Sequence, residues 1–183
     1  MGGHSEKVGR AEEFAPEKLL VGVLTTGAEV SAEAEKRLTE AFGAIDFRSR
    51  TIPFTYTDYY RREMGPSIDR YFIAFETLVD PGRLAEIKLF TNRVEEGLSE
   101  KGRRSINLDP GLLSLGKLIL ASSKDNAQRI PLHSGIYGEV TLIYRHGAYR
   151  SLPWTFRDYA SEEYGGIFAE LRTRYKRQLR EKR

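Results

Sequence analysis

Eight polar side chains stand in surroundings that suit chemistry: Asp58, Glu63, Asn107, Asp109, Lys117, Lys124, Arg129 and Glu139. The carboxylates lie in aromatic or apolar stretches, where an acid needs a cation, a set of hydrogen bonds or a metal to be tolerated. Converging acids could hold Mg²⁺ or exchange protons, and converging cations could hold a phosphate. Glu139 is the sharpest case, set in the apolar strand sequence Gly-Ile-Tyr-Gly-Glu-Val-Thr-Leu-Ile-Tyr. Alternation puts Tyr137, Glu139, Thr141 and Ile143 on one face, with Ile136, Val140, Leu142 and Tyr144 mostly on the other. Its expected partner is Lys117, Lys124 or Arg129. The set predicts a binding site for a small phosphorylated or nucleotide-like molecule, provided the side chains meet.

Other motifs are weaker. Gly111 to Leu118 reads G-x-x-x-x-G-K-L, one residue short of a nucleotide-binding loop. Leu118 replaces the hydroxyl that ligates Mg²⁺, and the sequence that follows reads as a strand rather than a helix. His4, His133 and His146 have no metal-ligand spacing, so no metal is expected at them. Residues 50–65 and 150–165 echo each other without a gap, sharing Arg, Pro, Thr, Asp, Tyr, Glu and Gly at matching positions. The expected arrangement is pseudo-twofold, with Asp58 and Asp158 at equivalent turns. Lys88, Asn92 and Glu95 share a helix face and read as a solvated, salt-bridged stripe.

The elements that must position these residues follow from pattern. Lys18–Thr25 reads as a buried strand. Ser31 is placed to cap a helix over 32–42 ending at Gly43. Phe47–Thr57 reads as a strand, and Pro53 within it demands a sheet edge or a bulge. Ile68–Val79 is a further strand. Asp80-Pro81 opens a helix over 83–98, stopped by Gly102. Arg104–Leu108 is a strand closed by a turn at Asp109-Pro110-Gly111. The order β-α-β-β-α-β is the ferredoxin-like plan. Lys117–Ser123, Arg129–His133, Ile136–Arg145 and Tyr149–Phe156 then read as an antiparallel meander, and 161–182 as a long C-terminal helix. The expected fold class is α+β, with a flexible tail over 1–16 and a single domain over 17–183.

The chain has 183 residues and no cysteine, which excludes disulfides, thiolate zinc and cysteine catalysis. No apolar run is long enough to span a bilayer, and the N-terminal residues lack a signal-peptide pattern. The cytoplasm is therefore the expected location, with no membrane partner. The net charge of +3 is uneven: residues 170–183 carry +5 and the rest −2. Arg172, Lys176, Arg180 and Arg183 run along one flank of the last helix, and nucleic-acid contact by this ridge is the alternative function. A structural or assembly module is the third. Oligomeric state is not legible.

With these segments in view, the chain resembles an uncharacterised bacterial family, a domain of unknown function, over nearly everything from Lys18 to Leu179. The resemblance rests on Thr57-Asp58-Tyr59-Tyr60 with Glu63-Met64-Gly65, Lys88 with Thr91-Asn92, Asn107 to Gly111 and Ala121 to Lys124. It continues through Gly135-Ile136-Tyr137, Glu139 to Leu142 and Trp154-Thr155 with Asp158-Tyr159. Members are often labelled GTP-binding proteins. The resemblance implies no established activity and no catalytic residues.

Overall fold

The computed structural model describes residues 11–57, 59–99 and 103–181, and only the backbone of Arg61 and Arg62. Asp58, Arg183 and the expected helix stop at Gly102 lie outside the described residues. The protein is a mixed α+β fold. Its strands are β1 (Glu17–Thr25), β2 (Ile45–Arg48), β3 (Ile52–Pro53), β4 (Asp69–Val79), β5 (Ile106–Leu113), β6 (Lys117–Ser122), β7 (Ile130–Pro131), β8 (Tyr137–Arg145) and β9 (Ala148–Ser151). Its helices are α1 (Ala28–Phe42), the single turn α2 (Arg61–Met64), α3 (Leu84–Gly97) and α4 (Glu162–Glu181).

All pairings are antiparallel, in the order β2-β4-β1-β5-β6-β8-β7, with β3 also on β4 and β9 also on β8. Strand β1 is central and apolar on both faces. Leu19, Val21 and Val23 pack with Ala34 and Leu38 of α1 and with Ala85, Ile87 and Val94 of α3. Leu20 packs on the opposite face with Tyr164, Phe168, Leu171 and Tyr175 of α4. A strand covered on both faces reads as an unbroken apolar run, as Lys18–Thr25 does. Lys18 is fully buried beneath α4 and donates to Asp46 at 2.5 Å, to the Phe75 carbonyl at 2.6 Å and to Gln178 at 3.0 Å. It ties β1, β2, β4 and α4 together, and burial pulls its pKa down against the pull of Asp46.

Several boundaries differ from the sequence reading, each for a local reason. The stretch expected as one strand over 47–57 is two short pieces, β2 and β3, which pair only with β4 and so put Pro53 at a sheet edge. Ser31 does not cap α1. The helix starts earlier, at Ala28 after Gly27, and Ser31 Oγ donates back to the Gly27 carbonyl at 2.8 Å. Asp80 does cap its turn, accepting from Gly82 N at 2.8 Å, with Pro81 at the first position. The four late strands are not a simple meander. Strand β8 lies between β6 and β7, because β7 turns back through Ser134 and Gly135, both at positive φ, to pair with Tyr137 and Gly138. The register of β6 on β8 shifts between Leu118 and Ile119, leaving Thr141 as an extra residue. This bulge reverses the alternation beyond it. Glu139 opposite Leu120 and Leu142 opposite Leu118 therefore share a face, contrary to the expected pattern.

The largest departure is β5. Asp109-Pro110-Gly111 is not a turn but part of a strand that pairs with β1 along its whole length. Against β6 it pairs only from Gly111 to Leu113. At Gly111 the two strands come so close that an added Cβ would meet the Ile119 carbonyl at 2.8 Å and Leu120 Cδ2 at 2.7 Å. Gly111→Ala is therefore expected to lose about 1–3 kcal/mol of stability in urea denaturation. An unchanged midpoint would mean that the strands do not approach this closely.

Candidate functional site

Beyond Gly111, β6 continues along β8 to Ser122 while β5 runs on alone with β1. The split opens a cleft of about 690 Å³. Asn107 and Asp109 form its β5 wall, Leu120 to Lys124 its β6 wall, and Glu139 and Arg129 close the far side. Register places Asn107, Asp109, Gly111, Leu120 and Glu139 on the α4 face of the sheet.

The unpaired edge of β5 is satisfied by side chains of α3. Leu108 N donates to Glu95 Oε1 at 2.7 Å, and Lys88 Nζ donates to the Leu108 carbonyl at 2.8 Å. The outward direction of the Leu108 groups carries over to Pro110, two residues on, so its missing N–H costs no bond to β1. The Lys88, Asn92 and Glu95 stripe is thus not a solvated face. Lys88 and Glu95 are buried, and all three line the cleft. A salt-bridged stripe and a cleft wall have the same spacing in sequence. What separates them is the strand edge that needs partners.

Arg70 forms the floor. It is 2% exposed, with Nη1 at 3.2 Å from Asp109 Oδ2 and Nη2 at 3.7 Å from Asp158 Oδ2. Its guanidinium lies near Phe54 and Phe72, at 5.4 and 5.8 Å from the ring centroids. The space is provided by Gly22, whose added Cβ would sit 2.8 Å from Arg70 Nη1. Burial works against the arginine charge, but Tyr159, Asp109, Tyr164 and Asp158 outweigh it and raise its pKa. Burial also works against the Asp109 carboxylate, yet Arg70 and then Lys88 hold its pKa below the usual value. At Asp158 burial wins over Arg70, and the pKa is raised. The sequence reading singled out Asp158 but passed over Arg70. Arg70 leaves little signal, because β4 also carries Asp69, Glu76 and Thr77 beside its apolar residues.

Glu139 has the partner expected of it. Arg129 Nε donates to its Oε2 at 2.9 Å, joined by Gln128 Nε2 at 3.0 Å. Arg129 also donates to Ser122 Oγ and to the Lys124 carbonyl, fixing the loop 122–129. Lys124 Nζ reaches across the mouth to Tyr59 Oη at 2.6 Å. Glu63 lies in an adjoining hollow that shares Asn92, Glu95, Arg104 and Ser123 with the cleft. Lys117 is not among the lining residues. It starts β6, at the end of the strand remote from Ser122, and is exposed. The segment Gly111 to Lys117 is the β5–β6 hairpin, closed by Ser114 N to the Lys117 carbonyl at 2.9 Å, and opens no helix.

The two echoed segments flank this cleft. Phe54, Tyr56, Thr57, Tyr59 and Tyr60 line it from the first, and Phe156 to Tyr159 from the second. Arg50 of the first pairs with Glu163 of the second, and Tyr56 meets Tyr164 edge-on. Their strand pieces have different partners, β3 on β4 and β9 on β8. On α4, Arg172 donates to the Leu115 carbonyl and lies 3.6 Å from the Tyr144 ring centroid, so it docks the helix. Lys176 and Arg180 are exposed. Among the described residues no three His, Asp or Glu side chains come together to hold a metal, and no helix is long and apolar enough to cross a membrane.

Burial raises the pKa of Glu95 to about 7, against Lys88 and the Leu108 N–H. Its unfolded value is near 4.5, so across that interval the folded state holds a proton that the unfolded chain has lost. Stability from this group is full below about pH 4.5 and falls until about pH 7, by on the order of 3 kcal/mol. Glu95→Gln removes this slope. In urea titrations the variant should gain on the parent as pH rises to about 7 and not beyond, whereas a pH-independent difference would contradict the assignment.

No curated protein and no solved structure matches the chain. A family match covers residues 15–175, which include every wall of the cleft, and by it the chain belongs to the family described as Domain of unknown function (DUF4416).

Proposed function

We propose that the cleft binds a small phosphorylated or nucleotide-like molecule. The observation that carries this reading is the convergence of Asn107, Asp109, Lys124, Arg129 and Glu139, from β5, the 122–129 loop and β8, on one cavity of about 690 Å³. That volume suits a small-molecule ligand. The mouth pairs cations with aromatic faces. Lys124 stands 4.5 Å from the Tyr59 ring centroid, and Arg157 follows the half-exposed Phe156. Such rings stack a base at about 1–3 kcal/mol each, and the cations would meet its phosphates. Deeper in, Asn107 is 5% exposed and its Nδ2 has no hydrogen-bond partner, leaving a buried donor at the cleft wall. Mg²⁺, if it takes part, would arrive on the ligand's phosphates. The strand order β5-β1-β4-β2 with α1 and α3 on one face supports a ferredoxin-like reading of this half, to which β6–β9 and α4 add the second cleft wall.

A thermal-shift screen tests the reading. Nucleoside phosphates, sugar phosphates and inorganic phosphate, each with and without Mg²⁺, are compared with their unphosphorylated counterparts. A ligand at a hundredfold excess over its Kd stabilises by about 2.7 kcal/mol, a rise of several degrees in Tm. Lys124→Ala should leave the unliganded Tm nearly unchanged, since the side chain is exposed, and should weaken the shift about tenfold in ligand concentration. Absence of any shift from phosphorylated compounds, or a shift indifferent to Lys124→Ala, would overturn it.

A further inference from the structure

Glu95 lies where the main cleft meets the adjoining hollow and lines both. One of its oxygens is fixed by the Leu108 N–H. Two cations converge on it. Lys88 Nζ from α3 is 4.0 Å from Oε1, and Arg104 Nη1 from the segment before β5 is 3.7 Å from Oε2. Arg104 also donates to Asn107 Oδ1 at 2.9 Å, and the buried Asn107 Nδ2 makes no hydrogen bond. Other charges nearby are Glu63, 3.6 Å from Arg104, Glu96, which lines the same hollow, and Asp109, which Arg70 already neutralises in part.

Two cations around one carboxylate resemble an anion site whose occupant is built into the protein. We infer that the inner end of the cleft is an anion subsite formed by Lys88, Arg104 and Asn107, which Glu95 neutralises when ionised and frees when protonated. The cleft then takes up a proton together with the phosphate or carboxylate group it binds. This rests on the ligand-binding reading above and adds to it where the anionic group sits and how binding is regulated. Glu95 exchanges its proton near neutrality, so the linkage acts in the range where cells work. An anion held beside Glu95 disfavours its ionised form, and affinity must therefore fall as pH rises.

The test uses anions whose own charge stays fixed between about pH 5.5 and 8.5: sulfate, and a cyclic nucleoside monophosphate as a phosphodiester. Calorimetric titration in two buffers of different protonation enthalpy gives both Kd and protons taken up. The parent should bind with proton uptake, and Kd should weaken by up to about tenfold per unit above pH 7. Glu95→Gln keeps an acceptor for the Leu108 N–H and should bind without uptake, with the same Kd at pH 6 and 8. If that variant does not fold, carbon-13 titration of the Glu95 carboxyl in the parent reads the same linkage, and its midpoint should rise when sulfate is added. Binding without uptake and with a constant Kd, uptake that persists in Glu95→Gln, or a midpoint indifferent to sulfate would each overturn the subsite while leaving the cleft reading intact. No binding of either anion at any pH would overturn both.

Discussion

The site depends on one strand having half a partner. Strand β5 is bonded to β1 along its entire length but to β6 only from Gly111 onward. A buried strand edge cannot be left with open peptide groups, since each costs about as much as a lost hydrogen bond. Glu95 and Lys88 meet that requirement at Leu108, and Pro110 lessens it by having no N–H to satisfy. The gap thus brings two charged side chains of α3 to the same strand as Asn107 and Asp109. An opening made by strand divergence becomes a cleft with ionisable walls.

Arg70 holds the opposite part of the cleft in place. A buried guanidinium needs its charge answered from several directions, and here the answers come from β5 through Asp109 and from the segment before α4 through Asp158. Gly22 leaves room for it on the central strand. Chain segments far apart in sequence are thereby bound to a single charge, and the two echoed segments that flank the cleft are held against the same sheet. The split in environment between Asp109, held ionised, and Asp158 and Glu95, pushed toward protonation, follows from how closely each faces a cation.

Much of the scaffold was legible in the sequence because its signals are local. The apolar run of β1, the Asp80-Pro81 start before α3 and the apolar stripe of α4 each declare themselves within one turn or one strand. Of the described side chains singled out, Asn107, Asp109, Lys124, Arg129 and Glu139 line the cleft, and for Glu139 the signal was a polar group in an apolar strand. The misses are non-local. Asp109-Pro110-Gly111 has turn chemistry, but pairing with β1 overrides it. The bulge at Thr141 changes which residues share a face with Glu139 and leaves no mark in composition. Lys117 and Lys124 stand at opposite ends of β6, so only Lys124 reaches the cleft. Lys88 and Glu95 looked like surface charges because the strand edge that needs them lies beyond the helix.

On the proposed function, the divergence of β5 from β6 makes a ligand site and not merely a seam between layers. A crystal structure of the protein grown with a saturating nucleoside phosphate tests it most directly. Density is expected between β5 and β6, with the ring against Tyr59 or Phe156 and an anionic group reaching Arg104 and Asn107. Density confined to the surface of α4, or a cleft filled only by ordered water at saturating ligand, would contradict it.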